Sequence, residues 1–578
     1  VGGQTNYVFA SCQRLEKLTV GPNFIFKKGN RDVAMPANPS SSSISGADGS
    51  WHSLSTGDIH NSKEGFSEQK ADTYYAYPVG MLSESWKNQL ASQNSVTNIV
   101  VDNYKNYSNA VGKKWDEGTS VGRTYGTDPV DTTRDNVKLF VSDDGTKVYL
   151  LAPEGGRVVF PENSGYLFAN FKSLTTLTLS RKVNGIITAP DTHLVKNMSH
   201  MFYNNPELLK LHLDGFETSR VEDMSGMFRG TNSLGIDMSK LNELELGIYF
   251  DTSRVKNMGS MFWLTGLTRI DLGKYASGLN HTIVGSFDTS SVTNMYGMFG
   301  RASNLTSLNL GSFDTSNVTD MHSMFDYNIS LTSLNVGSFD TSNVTDMIEM
   351  FSECSSLSTL DLSSFDTSKV KDMNHMFNRC MNLTKIYGLE NFDTSNVKNM
   401  EGMFVHCTEL TSLDVSGFDT SNVTNMAWMF NVVYTDEITN IDVYPEGNLN
   451  YIDLTGFDTS NVTNMASMFK GNSFTSLDLT GFDTSKVTNM SQMFYKSRLL
   501  KSLDLSYFDM SAVTAANEMF TGSVLEEVTL GERFRFVGEK SYLPENGSDK
   551  LWYLGETGYA PSAIDPSLRP GTYTIKAA

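Results

Sequence analysis

The sequence predicts a repeat solenoid, in which short coils of chain stack on one another and share one core. A motif that begins FDTS recurs with a basic period of 26 residues, and a leucine-rich segment lies between its copies. The chain has 578 residues, of which 39% are hydrophobic, so it is too long for one compact core and has enough apolar material for an extended one.

The first repeated element is FDTSxVxxMxxMF, which reads FDTSNVTDMHSMF from Phe313 and FDTSNVTDMIEMF from Phe339. Its DTS segment supplies turn and capping side chains. The spacing of three to four residues in V..M..MF predicts a short helical or 3₁₀ turn, with methionine and phenylalanine in the core. Its leading aromatic residue falls at 216, 250, 287, 313, 339, 365, 392, 418, 457, 482 and 508, and PDTHLVKNMSHMF from Pro190 is a weaker copy.

The second element is LxxLxL, for example Leu305, Leu308 and Leu310. Its last two apolar residues lie on one face of a short strand, so the polar residue between them faces away from the core. Strand and turn together predict a leucine-rich-repeat-like, right-handed stack with one short parallel strand per coil and β-rich caps. The outward-facing polar positions are Asn309, Asn335, Asp361, Asp414, Asp453, Asp478 and Asp504.

Tandem FDTSxVxxMxxMF and LxxLxL elements over residues 160–536 closely resemble the BspA-like leucine-rich repeat of bacterial surface proteins. The resemblance implies an exported protein, attached to the bacterial cell surface, that acts as an adhesin for host matrix proteins or other cells. Three stretched repeats depart from the pattern, because the leading phenylalanines at 216, 250 and 287, and those at 418 and 457, are more than 26 residues apart.

Four segments are expected. Residues 1–92 form the last coil and closing cap of a preceding array, and residues 93–160 an opening cap with a hairpin around Asp144-Gly145. Residues 161–536 form the main array and residues 537–578 its closing cap, which resembles the first because Trp51, Thr73 and Tyr74 correspond to Trp552, Thr572 and Tyr573. A signal and an anchor are expected outside these residues. Residues 83–93 fit either a short helix or a linker.

Charge and motif content argue against several functions. The net charge of −20 argues against nucleic acid as a partner, and no apolar run is long enough to span a membrane. The sequence matches no catalytic, metal or cofactor motif, so we expect neither an enzyme nor a cofactor.

His193 and His200 are expected at the surface because their spacing does not suit a zinc pair on a helix. Cys354, Cys380 and Cys407 should stack on successive coils; we expect them to be buried free thiols, and a disulfide between two of them is the alternative.

Ligand-binding residues are predicted at two places. The outward-facing polar residues could form an acidic surface for a basic protein or a cation, or simply a solvated strand face. The stretched repeats could carry binding loops, through Trp263, Arg269 and Tyr275 in one and Tyr434, Tyr444 and Tyr451 in another, or could be tolerated insertions. The expected partner is a host matrix protein, a cell-surface protein or a glycan; the alternative function is a structural stalk or self-assembling fibre.

Overall fold

A computed structural model provides the structure of the protein. It describes residues 17–20, 27–28, 31–32, 51–53, 59–60, 72–75, 79–83, 85–123, 137–154, 156–183, 186–230, 239–272, 287–435, 442–443, 447–545, 550–566 and 569–577. The chain divides into two compact units, Val1–Val255 with Ala276–Phe287 (unit 1) and Lys256–Tyr275 with Asp288–Ala578 (unit 2). The division falls inside the predicted array of residues 161–536.

Unit 1 begins with small sheets and continues into the first coils. Its strands are β1 Lys17–Val20, β2 Lys27–Lys28, β3 Arg31–Asp32, β4 Trp51–Ser53, β5 Ile59–His60, β6 Asp72–Tyr75, β7 Val79–Leu82, β8 Asn98–Asn103, β9 Thr119–Ser120, β10 Gly122–Arg123, β11 Lys138–Val141, β12 Lys147–Ala152, β13 Arg157–Val159, β14 Thr176–Thr178, β15 Arg181–Val183, β16 Ile186–Thr188, β17 Lys210–His212 and β18 Glu243–Glu245. The helices are α1, Tyr104–Val111, and two 3₁₀ turns, Trp86–Gln89 and Trp115–Glu117.

Unit 2 holds β19 Arg269–Asp271, β20 Ser307–Asn309, β21 Thr359–Asp361, β22 Lys385–Tyr387, β23 Tyr434–Thr435, β24 Asp442–Val443, β25 Ser502–Leu505, β26 Glu527–Leu530, β27 Lys550–Leu554, β28 Thr557–Tyr559 and β29 Gly571–Ala577. It also holds 3₁₀ turns at Leu389–Asn391 and Pro561–Ala563. Among the described residues, no helix has both the length and the apolar character that crossing a membrane requires.

The two predicted caps share a strand order. In unit 1 the sheet runs β1-β6-β4-β5, and in unit 2 the closing strands run β26-β29-β27-β28, with every pair antiparallel. Strands β11 and β12 form an antiparallel hairpin on either side of Asp144-Gly145. In residues 83–93 a single 3₁₀ turn places the buried Trp86 against Phe171, with ring centroids 5.8 Å apart.

The MF element is a run of hydrogen-bonded turns, so the prediction of a helical or 3₁₀ turn there is wrong. Two residues in most copies, such as Glu349 and Glu353, adopt left-handed φ values of 53° and 58°, which end any right-handed helix. Their N–H groups donate instead to carbonyls of the next coil, at Asn374 (2.9 Å) and Asn378 (2.6 Å). These bonds offset the backbone strain by joining neighbouring coils.

Side chains of the DTS and NVT segments also join the coils. The buried Thr341 Oγ1 accepts from the Asp366 N–H and donates to its carbonyl, at 2.8 Å each. Asn343 Nδ2 donates to the Ser316 carbonyl at 2.7 Å, so the repeated NVT has a structural role. The same threonine-to-aspartate bond recurs at Thr289, Thr315, Thr367, Thr394, Thr420, Thr459 and Thr484.

The core assignment of the repeat is confirmed, because its methionines and phenylalanines are buried. Rings of the MF phenylalanines stack from Phe325 to Phe520 in unit 2, with neighbouring centroids 5.5–5.9 Å apart. The three described cysteines are buried free thiols, as expected. Each donates to a phenylalanine carbonyl of the preceding coil; for Cys380 this is Phe351, at 3.1 Å.

Strand structure is less regular than one strand per coil. Among the described residues, the coils pair as parallel strands in twos, β17-β18, β19-β20, β21-β22 and β25-β26, and residues 331–336 and 410–415 have no assigned strand. Continuous bridging lies instead before the first methionine of each MF element, from Asn257 through Asn294 to Ala515 in unit 2. The inter-coil backbone bonds are therefore concentrated on the turns, where N–H groups of alternate residues point at the next coil.

Candidate functional site

The candidate site is the row of residues between the last two apolar positions of LxxLxL in unit 2, here called the strand-face column. Leu360 and Leu362 are buried while Asp361 is exposed, which is the alternation that a strand imposes. The column contains six carboxylates. Its members are Asp271, Asn309, Asn335, Asp361, Tyr387, Asp414, Asp453, Asp478 and Asp504, all exposed except the half-buried Asp271.

Local hydrogen bonds hold the carboxylates of the column in place. Oδ1 of Asp361 accepts from the hydroxyl (2.6 Å) and the N–H (3.0 Å) of Ser363, two residues later. The same pair of bonds fixes Asp414, Asp453 and Asp478. These bonds stabilise the ionised form and therefore lower the pKa of all four carboxyl groups. The bond from the hydroxyl has the larger effect on the pKa, and the bond from the N–H has the smaller one.

Three carboxylates of the column interact across successive coils. The charge of Asp453 opposes the lowering of the pKa of Asp414 and of Asp478, but the hydrogen bonds to each prevail. All three are therefore ionised at neutral pH although they repel one another. A partner that places positive charges along the column would relieve this repulsion.

Tyr387 lies in the column where neighbouring repeats have aspartate, and the sequence analysis did not single it out. It belongs to β22, which pairs with β21 so that Asp361 lies opposite Tyr387. Its side chain is 44% exposed, and Lys385 Nζ lies 4.5 Å from its ring centroid. Tyrosine is enriched among the residues that contribute most to the affinity of protein interfaces. Aligning the repeats on LxL would have found it.

The residues predicted in the stretched repeats do not all converge. Trp263 lies on the MF turn, half-buried, where its ring contacts Tyr296 (6.2 Å between centroids) and the Arg301 guanidinium (5.6 Å). Arg269 lies instead in β19, exposed, next to the strand-face column. The two therefore belong to different sides of the coil.

The other stretched repeat is described only in part. Tyr451 is 65% exposed and directly precedes the LxL segment of its coil, while Tyr434 lies in β23. Tyr275 and Tyr444 lie outside the described residues. The loop is anchored at its end, because the Asn448 N–H donates to the Thr408 carbonyl at 2.9 Å.

His193 and His200 lie in the first coils of unit 1. His193 is buried, not at the surface as predicted, and its Nδ1 lies 2.5 Å from Asp191 Oδ1. His200 is half-buried with left-handed φ, and its ring stacks on that of Tyr166 at 4.7 Å. Burial lowers the pKa of His200. Both histidines thus have structural partners.

Comparison with known proteins gives a family. The family model described as "Mycoplasma protein of unknown function, DUF285" matches residues 169–276, 273–385, 353–444 and 440–528. No curated protein matches the chain. A solved structure titled "Crystal structure of TLR13-ssRNA13 complex" is 13% identical over 67% of this chain and 72% of that chain, with a TM-score of 0.11, which is too low to inform the fold.

Proposed function

The chain belongs to the DUF285 family of Mycoplasma proteins of unknown function, and we propose that it is an extracellular bacterial adhesin. In this proposal its coils form a leucine-rich-repeat-like, right-handed solenoid of the BspA-like type at the cell surface. The strand-face column is the binding surface, and its partner is a protein of the host matrix or of another cell that presents lysine and arginine.

The observation that carries the proposal is the set of rigid, ionised carboxylates on successive coils. A carboxylate whose position is already fixed loses little conformational entropy on binding, so more of the ion-pair energy contributes to affinity. Each exposed ion pair contributes little alone, about 0–1 kcal/mol, but several act together on one extended partner. The overall charge of −20 adds long-range attraction for the same partners.

This charge pattern favours a basic protein over a glycan as the partner. Neutral and acidic sugars carry no positive charge to pair with a row of carboxylates, so they would gain hydrogen bonds from it but no ion pairs. Tyr387, between Asp361 and Asp414 in the column, supplies one aromatic contact that a lysine or arginine side chain can cover. The column therefore combines charge with one anchor residue.

The test is binding of the purified chain to matrix proteins, mucin, glycans and whole bacterial cells at low and at physiological salt. We expect saturable binding to a basic matrix or cell-surface protein that weakens as salt rises. Tyr387→Ala should weaken that binding at least several-fold. Tyr507→Ala removes another exposed tyrosine, which lies outside the column, and should leave it unchanged. Binding that is insensitive to salt and to Tyr387→Ala would refute the proposed surface.

A structural stalk is the second candidate. It is favoured by the repetition of one cap sheet, β1-β6-β4-β5 and β26-β29-β27-β28, because repeated caps are what arrays in series require. Sedimentation of the purified chain separates the candidates. Concentration-dependent assembly without binding to any component of the panel would favour the stalk, and a monomer that binds one component saturably would favour the adhesin.

A further inference from the structure

A cluster of charged side chains lies on the first strand pair of the coils in unit 1. Strands β17 and β18 are parallel, with Lys210 opposite Glu243 and His212 opposite Glu245. Because alternate residues of a strand face the same way, these four side chains share one face, and the leucines between them are buried. His212 and Glu245 occupy the LxL positions that hold aspartate or asparagine in most later repeats.

The imidazole of His212 is flanked by carboxylates at both nitrogens. Nδ1 lies 3.1 Å from Glu245 Oε2, and Nε2 lies 3.1 Å from Glu243 Oε1. Asp214, just after β17, completes the group. One ring nitrogen of His212 and one carboxylate oxygen each from Asp214 and Glu245 all lie within 4.8 Å of one another.

The two carboxylates that flank His212 require a positive charge between them, which either a second proton on the imidazole or a bound cation supplies. A neutral imidazole has one N–H and one lone pair, so it donates to one carboxylate only. If Nε2–H donates to Glu243, the lone pair of Nδ1 points at the negative Glu245, and the two acceptors repel. A cation between Nδ1 and the carboxylates of Glu245 and Asp214 turns this repulsion into coordination.

Glu243 has the position of an outer carboxylate that orients a metal-binding histidine. Its Oε1 lies next to Nε2 of His212, and its Oε2 is paired with Lys210. Metal-binding histidines commonly donate their second N–H to such a carboxylate, which fixes the tautomer and the ring plane. Here that bond would leave Nδ1 for the ion.

We propose that His212, Asp214 and Glu245 bind one divalent transition-metal ion such as Zn²⁺, with Glu243 as the outer carboxylate. A mixed set of imidazole and carboxylate ligands suits Zn²⁺ and Co²⁺ better than Ca²⁺, which takes six to eight oxygens. Three protein ligands leave a coordination position for water. The site lies in unit 1 and does not depend on the proposed adhesin function.

The test is titration of the full chain, first treated with a chelator, with ZnCl₂ at pH 7.5 by calorimetry. We expect one Zn²⁺ per chain at this site, lost in His212→Ala with at least a tenfold fall in affinity. Glu243→Gln keeps a hydrogen-bond acceptor but not the charge and should weaken binding about tenfold. Co²⁺ should give visible absorption bands that His212→Ala abolishes.

The matched control is His322→Ala, which removes a histidine of unit 2 whose charge acts on the neighbouring Asp320. It should bind Zn²⁺ as the wild type does, and circular dichroism should show that every variant remains folded. The proposal is overturned if the wild type binds neither Zn²⁺ nor Co²⁺, because a proton on His212 would then be the only positive charge at the site. It is equally overturned if His212→Ala binds Zn²⁺ with unchanged affinity, or if His322→Ala also loses the one Zn²⁺ bound per chain.

Discussion

Replacement of Thr341 by valine tests how the coils of unit 2 are joined. Thr341 is 1% exposed, and its hydroxyl makes two hydrogen bonds to the backbone of Asp366 in the next coil, both 2.8 Å long. Valine has the same shape without the hydroxyl. Each lost bond costs about 0.5–1.5 kcal/mol, and poorly satisfied backbone groups add to this, so Thr341→Val should cost roughly 2–4 kcal/mol.

The assay is urea unfolding together with amide hydrogen exchange at Asp366, the residue whose N–H loses its acceptor. A loss of about 2 kcal/mol corresponds to roughly thirtyfold faster exchange when exchange follows local opening. Thr345→Val is the control, because its hydroxyl makes one solvent-exposed bond to Thr319 at 3.2 Å, and it should cost less than about 0.5 kcal/mol. If Thr341→Val unfolds like this control, the threonine bonds do not join the coils.

Three further predictions concern buried groups of unit 2. Phe365→Ala should cost roughly 3–5 kcal/mol in urea unfolding, because the ring is buried against neighbouring phenylalanines; an unchanged midpoint would contradict the core assignment. Burial raises the pKa of Asp326 to about 7, so the folded state holds the proton more tightly than the unfolded chain does, and stability should fall as pH rises from about 4 to about 7. Asp326→Asn should remove that fall, so its stability relative to wild type should rise over this range; a pH-independent difference would refute the assignment. In a Cys12→Ala background, the buried Cys354, Cys380 and Cys407 should react with a thiol reagent at pH 8 only after unfolding, since burial also raises the pKa of each; rapid labelling of the folded chain would show that they are accessible.

The sequence predicted those features that depend on local periodicity. Period two in LxL correctly placed Leu360 and Leu362 inside and Asp361 outside, and the fixed place of Cys380 three residues after its MF phenylalanine correctly predicted a buried thiol. Both predictions depend only on residues that are close together in the sequence. The presence of stacked coils followed from repetition itself, because a single 26-residue coil cannot bury its own apolar side chains.

Features that depend on the next coil were missed. The spacing of M..MF suggested a helical turn, but the left-handed φ of Glu349 is stabilised by a bond to another coil, and glutamate carries no local signal for that conformation. Thr341 was interpreted as a cap of its own turn, whereas its bonds go to Asp366. His212 and Glu245 are 33 residues apart, so a search for ligands spaced along one helix could not pair them.

Neutralising the strand-face column tests the proposed function most directly. The variant Asp414→Asn, Asp453→Asn and Asp478→Asn removes three charges, while each asparagine oxygen can still accept the bonds from its serine or threonine. The control makes the same change on the DTS turns, where serine also holds each aspartate: Asp366→Asn, Asp419→Asn and Asp458→Asn. We expect at least a tenfold loss of affinity for the basic partner, with a smaller salt dependence, in the column variant alone. Equal affinity of the two variants would contradict binding through the column.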